Sequence, residues 1–422
     1  MVKQPKVSIC VPSRNRQRYL KATIEGMVRN PRTDVQFVIA DNSDDPEVMN
    51  SYMAGLRGDP RIVYIPSAPQ TLSMIDNWER TMCAATGEWI VFIGDDDHCD
   101  PDVADLIGNV EQHVTDVEAV GWGSISYAWP VEGEPVGFFH VPLYKGAKRF
   151  TRKQLQQRMF GWEGSTIVPG SGFSVYHSAI SRSLLDKIRD EAGGRYFEHP
   201  VVDYDMAMKV INNGKQFVFC ERPFSIFGAC PESNSYSIGR MADIKAKVAL
   251  YEAELGRSFD LDPYLKDFPF SNMLGVSSSI AIAQQWYKWK YKFQYLNWER
   301  NFVMACARSV EHFRDREAFD AMRAAYQTAL RQWHGGRFLK DFNPKFKGYL
   351  KEVPTGFTDN GVYVRNDVAG AANPHEIYDI VNAIVEPIEL IDLEGTVGAG
   401  ANTASHKLLS KVRSAGSRGR LR

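Results

Sequence analysis

The sequence predicts an α/β fold: a mostly parallel mixed sheet flanked by helices, followed by a mainly helical C-terminal region. Two observations predict it. Short apolar runs alternate with helix-patterned stretches through about the first hundred residues, the order expected of strands joined by crossover helices. Past Arg240 those runs give way to helical periodicity rich in Ala, Glu, Lys and Arg.

Val7 to Val11 (VSICV) reads as a buried strand stopped by Pro12, and Tyr19 to Val28 has helical spacing. Val35 to Ala40 (VQFVIA) is a second buried strand, ending at Asp41-Asn42-Ser43, and Arg61 to Ile65 a third. Leu72 to Thr86 reads as a helix closed by Gly87. Trp89 to Ile93 (WIVFI) is a fourth strand, and it delivers the chain to Gly94-Asp95-Asp96-Asp97. Val120 to Pro142 should be stranded. Helices are expected near Ser181 to Ala192 and from Asp203 to Asn213, then a strand from Lys215 to Cys220. The resulting division is an α/β domain over 1–240, a helical domain over 241–345, and an irregular extension over 346–422 with a basic tail. The prolines after Gly335 and the Gly/Ala/Ser-rich end mark that irregularity.

Composition narrows the function. With 422 residues, 44% hydrophobic and 24% charged, the chain can bury a core of good size. A net charge of −1 gives no overall basic field for gripping nucleic acid. Six dispersed cysteines without a CxxC pair argue against a zinc ribbon and suit free thiols in a reducing compartment. Met1 to Lys6 runs straight into a strand with no signal-peptide pattern, and no apolar run of about 18 residues occurs. A cytoplasmic protein without a transmembrane segment is expected.

Ligands on open parallel sheets bind at the carboxyl ends of the strands. Pro12-Ser13-Arg14-Asn15, Asp41-Asn42-Ser43 and Asp95-Asp96-Asp97 all follow strands, so three polar clusters meet at one edge. Adjacent carboxylates beyond an apolar strand repel one another when desolvated and call for a cation. Mn²⁺ or Mg²⁺, hard ions that bridge carboxylates to phosphates, fit that need; a solvated acidic turn is the plainer reading. Asp41 has the chemistry to accept hydrogen bonds from a base or ribose, or simply to form an Asx-turn. Arg14 and Arg16 can meet a diphosphate or be solvated. Asp203 and Asp205 open a predicted helix, where its dipole alone would favour them; the sharper reading is a general base. At spacing i, i+2 they lie on different faces, so at most one points into a site.

VSICVPSRNR (7–16), VIADNSDD (38–45), DPRIVYI (59–65) and ATGEWIVFIGDDDHCDP (85–101), in that order, resemble the inverting family-2 glycosyltransferases of the GT-A fold. The likeness weakens towards residue 240. It implies a nucleotide-sugar-binding domain that transfers a sugar, hexosyl or pentosyl, to a hydroxyl of a glycan, lipid-linked sugar, protein or modified nucleic-acid base. It implies a UDP-sugar donor before others, with Pro12 and Arg14 lining the nucleotide pocket and Asp41 on the base. Asp95 and Asp97 correspond to the Asp-x-Asp acids and to the metal ligands, Asp97 the better of the two, with Asp96 in its place if the register shifts by one. Asp203 falls at the family's base, although Val202 stands where that family has Glu; Asp205 is the reserve. His98 is either a supporting residue or simply packed.

The acceptor side is less legible. Trp122, Trp129, Trp162 and Tyr176 can stack on sugars or fill the core. In Gln285 to Trp298, Lys288, Lys290 and Lys292 interleave with Trp289, Tyr291 and Phe293, which suits an anionic partner or an amphipathic helix packed on the catalytic domain. The tail carries Lys407, Lys411, Arg413, Arg418, Arg420 and Arg422, a feature that suits nucleic acid or an anionic surface, or mere solvation. Two other functions share the fold: a nucleotidyltransferase, which would be expected to carry a Gly-rich loop after the first strand, and a non-catalytic nucleotide-sugar binder.

Overall fold

A computed structural model describes residues 4–133, 136–143, 146–163, 166–233, 249, 252–253, 261–348, 355–359 and 361–393. The basic tail lies outside them. A mixed sheet runs through the molecule in the order β3-β2-β1-β4-β9-β6-β10-β5, with β8 also on β10. These strands are β1 (Val7–Ser13), β2 (Val35–Asp41), β3 (Ile62–Ile65), β4 (Trp89–Phe92), β5 (His98–Cys99), β6 (Ala119–Ala128), β8 (Ala147–Phe150), β9 (Ser178–Ser181) and β10 (Phe217–Ala229). The pairs among β1 to β4 are parallel, as is β6 with β10, while β5, β8 and β9 pair antiparallel.

The apolar runs of β1, β2 and β4 are explained by burial on both faces. Val7, Ile9, Val11, Phe37, Ile39 and Val91 join a core beneath α1 (Gln17–Val28), α2 (Glu47–Ala54) and α4 (Val103–His113). Cys10, Val38, Ile90 and Phe92 point the other way, with α3 (Met74–Ala84), α5 (Arg152–Phe160), α6 (Arg182–Glu191) and α7 (Val202–Asn213). That second core continues into α8 (Val276–Lys290), α9 (Trp298–Val310) and α10 (Arg316–Gln332), through Trp286, Phe302 and Tyr326.

Three expectations are corrected. Pro12 does not stop β1, which runs on to Ser13 paired with β2. Pairing with β4 has ended by then, so the missing N–H costs no ladder bond. The helix expected to Thr86 ends at Ala84, and Gly87 is not its cap. A side chain at Gly87 would sit 2.6 Å from the Ser8 nitrogen, so glycine permits the two backbones to approach. Part of the stretch expected to be irregular is regular. There β11 (Gly356–Thr358) and β12 (Gly361–Arg365) extend β7 (Phe138–Val141) into a small antiparallel sheet, and α11 (Pro374–Asn382) follows.

Helix α11 packs onto the α/β half. Asn373 caps it by accepting from the Glu376 N–H, and Pro374 occupies its first turn. Tyr378 is buried, 5.1 Å from the His98 ring, and Arg222 donates to the Asn382 side chain and the Glu386 carbonyl. Tyr378→Ala should lower unfolding free energy by about 3–5 kcal/mol, read as a fall in the urea midpoint at unchanged slope. An unchanged midpoint would mean that α11 does not brace this domain.

Candidate functional site

The strand ends β1, β2 and β4 bring the three polar clusters to one edge, as parallel pairing requires. The loops after β1 and β2 are zipped together: the Asn15 N–H donates to Ser43 Oγ at 2.9 Å, and the Asp44 N–H to Asn15 Oδ1 at 2.9 Å. Asp41 is fully buried; its Oδ1 accepts from the Ser43 N–H and hydroxyl, and Ser67 Oγ lies 3.3 Å from its Oδ2. The Asx-turn therefore exists, and it rigidifies the floor beyond β2. Asn42 extends that floor by exchanging hydrogen bonds with the Leu72 backbone. Pro12 is buried in β1, and Arg14 reaches Asp44 at 3.6 Å.

The acidic triplet is not splayed into solvent. Asp95, Asp96 and Asp97 are each at most 3% exposed. Three carboxylates this close survive burial only through an exact division of partners. Asp97 takes the most. Its Oδ2 accepts from the Gly94 N–H at 2.6 Å and the Tyr176 hydroxyl at 2.7 Å, with His177 Nε2 at 2.8 Å, and its Oδ1 accepts from the Gly228 N–H at 2.7 Å. Burial raises its pKa, but the charge and hydrogen bond of His177 and the donations from Tyr176 and Gly94 outweigh that, so it stays below the ordinary carboxylate value.

Asp95 accepts from Ser13 Oγ at 2.7 Å, and its Oδ1 lies 3.1 Å from Arg16 Nε. Burial nevertheless pushes its pKa up to about 7, against the pull of Arg16 and with the push of Asp96. Asp96 is supplied at both oxygens, one of them by a long contact. The Cys230 N–H reaches its Oδ2 at 3.0 Å, and Oδ1 meets Arg16 Nη1 only at 3.5 Å. Its pKa is raised by burial and by the Asp97 charge. The backbone locks all of this: Thr23 Oγ1 sits 2.8 Å from the carbonyls of both Asp95 and Asp97, and Trp129 Nε1 donates to the Asp96 carbonyl at 2.9 Å. Any side chain at Gly228 would overlap that carbonyl, at 1.6 Å.

This division bears on which acid could hold a metal. At Asp97, the ligand that the resemblance implies, the oxygens already face donors. Asp95 is turned to Ser13 and Arg16. Among the described residues, Asp95 Oδ1 has no hydrogen bond, although Arg16 Nε stands 3.1 Å away, and Asp96 Oδ1 meets only the 3.5 Å contact of Arg16 Nη1. Hard dications are commonly held by one or two carboxylates plus substrate phosphates, so Asp96, with Asp95 beside it, could receive one while the partners of Asp97 hold the turn from behind.

Asp203 and Asp205 part company, as their spacing requires. Asp205 is fully buried, 3.0 Å from Lys209 Nζ, and accepts the Glu198 and His199 N–H groups. These partners make it an anchor between α7 and the backbone that precedes it. Asp203, near the head of α7, is half-buried. Burial raises its pKa to about 6, although the backbone N–H groups of Tyr204 and Asp203 itself oppose the rise. Its charge is felt at the Tyr176 hydroxyl together with those of Asp97 and Asp96, so these groups share one neighbourhood.

Other candidates resolve into structure. Trp122, Trp129 and Trp162 are buried. His98 is buried against Tyr378, and burial holds its pKa down to about 3, with His375 adding to the effect. Lys288 lies over the Trp298 ring and pairs with Glu299; Lys290 pairs with Glu198, and the Tyr291 hydroxyl donates to Glu198. Phe293 packs on Phe160. The basic–aromatic segment is thus largely engaged inside the protein. Sequence reasoning missed His177, Thr23 and Cys230 altogether, because each joins the triplet through tertiary contact.

Residues 8–184 match the family model described as glycosyl transferase family 2. Among solved structures, residues 1–349 of S. aureus TarS are similar at 14% identity and a TM-score of 0.42, with 80% of this chain and 89% of that chain covered. The same fragment in complex with UDP-GlcNAc gives 15% identity and 0.43 over the same shares. A longer S. aureus TarS gives 15% and 0.41, covering 86% of this chain and 60% of that one. No curated protein sequence matches. No helix among the described residues is long and apolar enough to cross a membrane.

Proposed function

We propose, from the premise that residues 8–184 are a glycosyl transferase family 2 domain and the protein a glycosyltransferase, that it moves a sugar from a UDP-sugar to an acceptor hydroxyl with inversion, aided by Mn²⁺ or Mg²⁺. Support comes from one observation above all: Ser174 Oγ donates to the carbonyl of the half-buried Asp203 and accepts from the N–H of Tyr176, whose hydroxyl donates to Asp97, so the head of α7 is tied to the triplet, and burial raises the Asp203 pKa to about 6. Pro12, Arg14 and Asp41 would line the nucleotide site. Asp96 would hold the metal, with Asp95 beside it. When bound, the metal supplies positive charge against the departing diphosphate. Asp97, fixed by Gly94, Tyr176, His177 and Gly228, orients the turn that carries Asp96. Asp203 takes the proton of the acceptor hydroxyl as that oxygen attacks the anomeric carbon from the face opposite the diphosphate. The domain over 1–240 would carry this chemistry. Six free thiols support a cytoplasmic setting.

A thermal-shift series of nucleotide sugars, with and without Mn²⁺, tests the donor, because binding to the folded state stabilises it by mass action. UDP-sugars with Mn²⁺ should raise the midpoint; no shift with any nucleotide sugar would refute the reading.

The base adds a pH signature. An acid must be ionised to accept a proton, so kcat/KM should climb as pH rises through about 6, and Asp203→Asn should remove that limb. Stability runs the other way. The folded chain holds this proton more tightly than the unfolded chain, whose Asp titrates near 3.9, so the contribution is present at low pH and fades as pH rises through about 6.

A further inference from the structure

Without a ligand, the triplet already has a cation. Arg16 Nε lies 3.1 Å from Asp95 Oδ1 and its Nη1 3.5 Å from Asp96 Oδ1, on a side chain 27% exposed. Its pKa is raised: burial opposes the charge, but Asp95 and Asp96 outweigh it. With Asp97 saturated, a dication arriving alone would find Asp95 Oδ1 and Asp96 Oδ1, and one guanidinium facing both. Like charges in so buried a site are poorly screened. Two carboxylate oxygens with water are also a meagre ligand set for a hard ion.

We propose that Arg16 is the resident counter-charge of the triplet and makes divalent-metal binding conditional on a diphosphate. A diphosphate brings oxygens to the metal and gives Arg16 an anionic partner other than Asp96, so metal and nucleotide each strengthen the other's binding. Without nucleotide, Arg16 keeps the metal out. This rests on the glycosyl-transfer reading, and it adds an order of assembly that the reading does not require.

The test is Mn²⁺ binding followed by electron paramagnetic resonance, with MnCl₂ alone and with UDP at fixed free Mn²⁺, on the full chain. Wild type should bind Mn²⁺ roughly tenfold or more tightly with UDP than without. Arg16→Gln should bind Mn²⁺ alone roughly tenfold or more tightly than wild type does, and Arg16→Lys, which keeps the charge, should exclude it as wild type does. Thermal melts establish that each variant is folded; should Arg16→Gln fail to fold, wild type and Arg16→Lys still carry the comparison with and without UDP. Equal Mn²⁺ affinity of wild type with and without UDP overturns the proposal, as does identical behaviour of folded Gln and Lys variants. UDP binding indifferent to Mn²⁺ overturns this inference alone. No UDP binding under any condition overturns the glycosyl-transfer reading with it.

Discussion

Asp203→Asn removes transfer while the nucleotide sugar still binds. The amide keeps the shape of the carboxyl and its place near the head of α7, but it has no basicity near pH 7. General-base catalysis contributes about 10²–10⁴-fold, so kcat should fall by at least about 10² with donor affinity within a few-fold of wild type. The fold should persist or gain slightly, since a half-buried carboxyl held above its ordinary pKa is replaced by a neutral group. Asp205→Asn gives the opposite pattern. It unbalances the Lys209 ion pair inside the protein, so stability suffers first. A normal transfer rate in purified, folded Asp203→Asn would remove this residue from the mechanism.

The second large effect separates Asp96 from Asp97. Asp96→Ala should leave a folded protein that has lost Mn²⁺-dependent donor binding, with kcat/KM down by roughly 10²–10³-fold, the scale of deleting one preorganised electrostatic contact. Asp97→Ala strands the Gly94 and Gly228 N–H groups and the Tyr176 hydroxyl, all partly buried, and the buried His177 ring. Breaking such a cluster costs about 3–5 kcal/mol, so its primary signature is a lower denaturation midpoint. Calorimetric titration with UDP and Mn²⁺, beside urea unfolding, reads both. Were Asp97→Ala fully stable and Asp96→Ala able to bind Mn²⁺ with UDP normally, the assignment would have to be exchanged.

What was readable in the chain follows from how each contact is made. Strands β1, β2 and β4 are buried on both faces, and that alone writes them as apolar runs. Strands β5, β8 and β9 are short and exist through antiparallel partners far along the chain, so no local pattern marks them. Helix α5 is largely polar, with inward contacts at Leu155, Met159 and Phe160; its readable sign was the capping box of Thr151 and Gln154. In the site, the chemistry of the triplet was legible but its division of labour was not. That division is set by the Gly228 N–H, 131 positions from Asp97, and by Cys230, 134 from Asp96. Asp205 was different, because Lys209 four residues on is the helical spacing of an ion pair and could have been weighed from sequence.

A crystal structure with a non-hydrolysable UDP-sugar and Mn²⁺ tests the central claim most directly. The account predicts uridine in the floor at Asp41, Mn²⁺ shared between Asp96 and the diphosphate, and the anomeric carbon on the side facing Asp203. Nucleotide bound elsewhere, or Mn²⁺ on Asp97 with Asp203 turned away from the sugar, would contradict it.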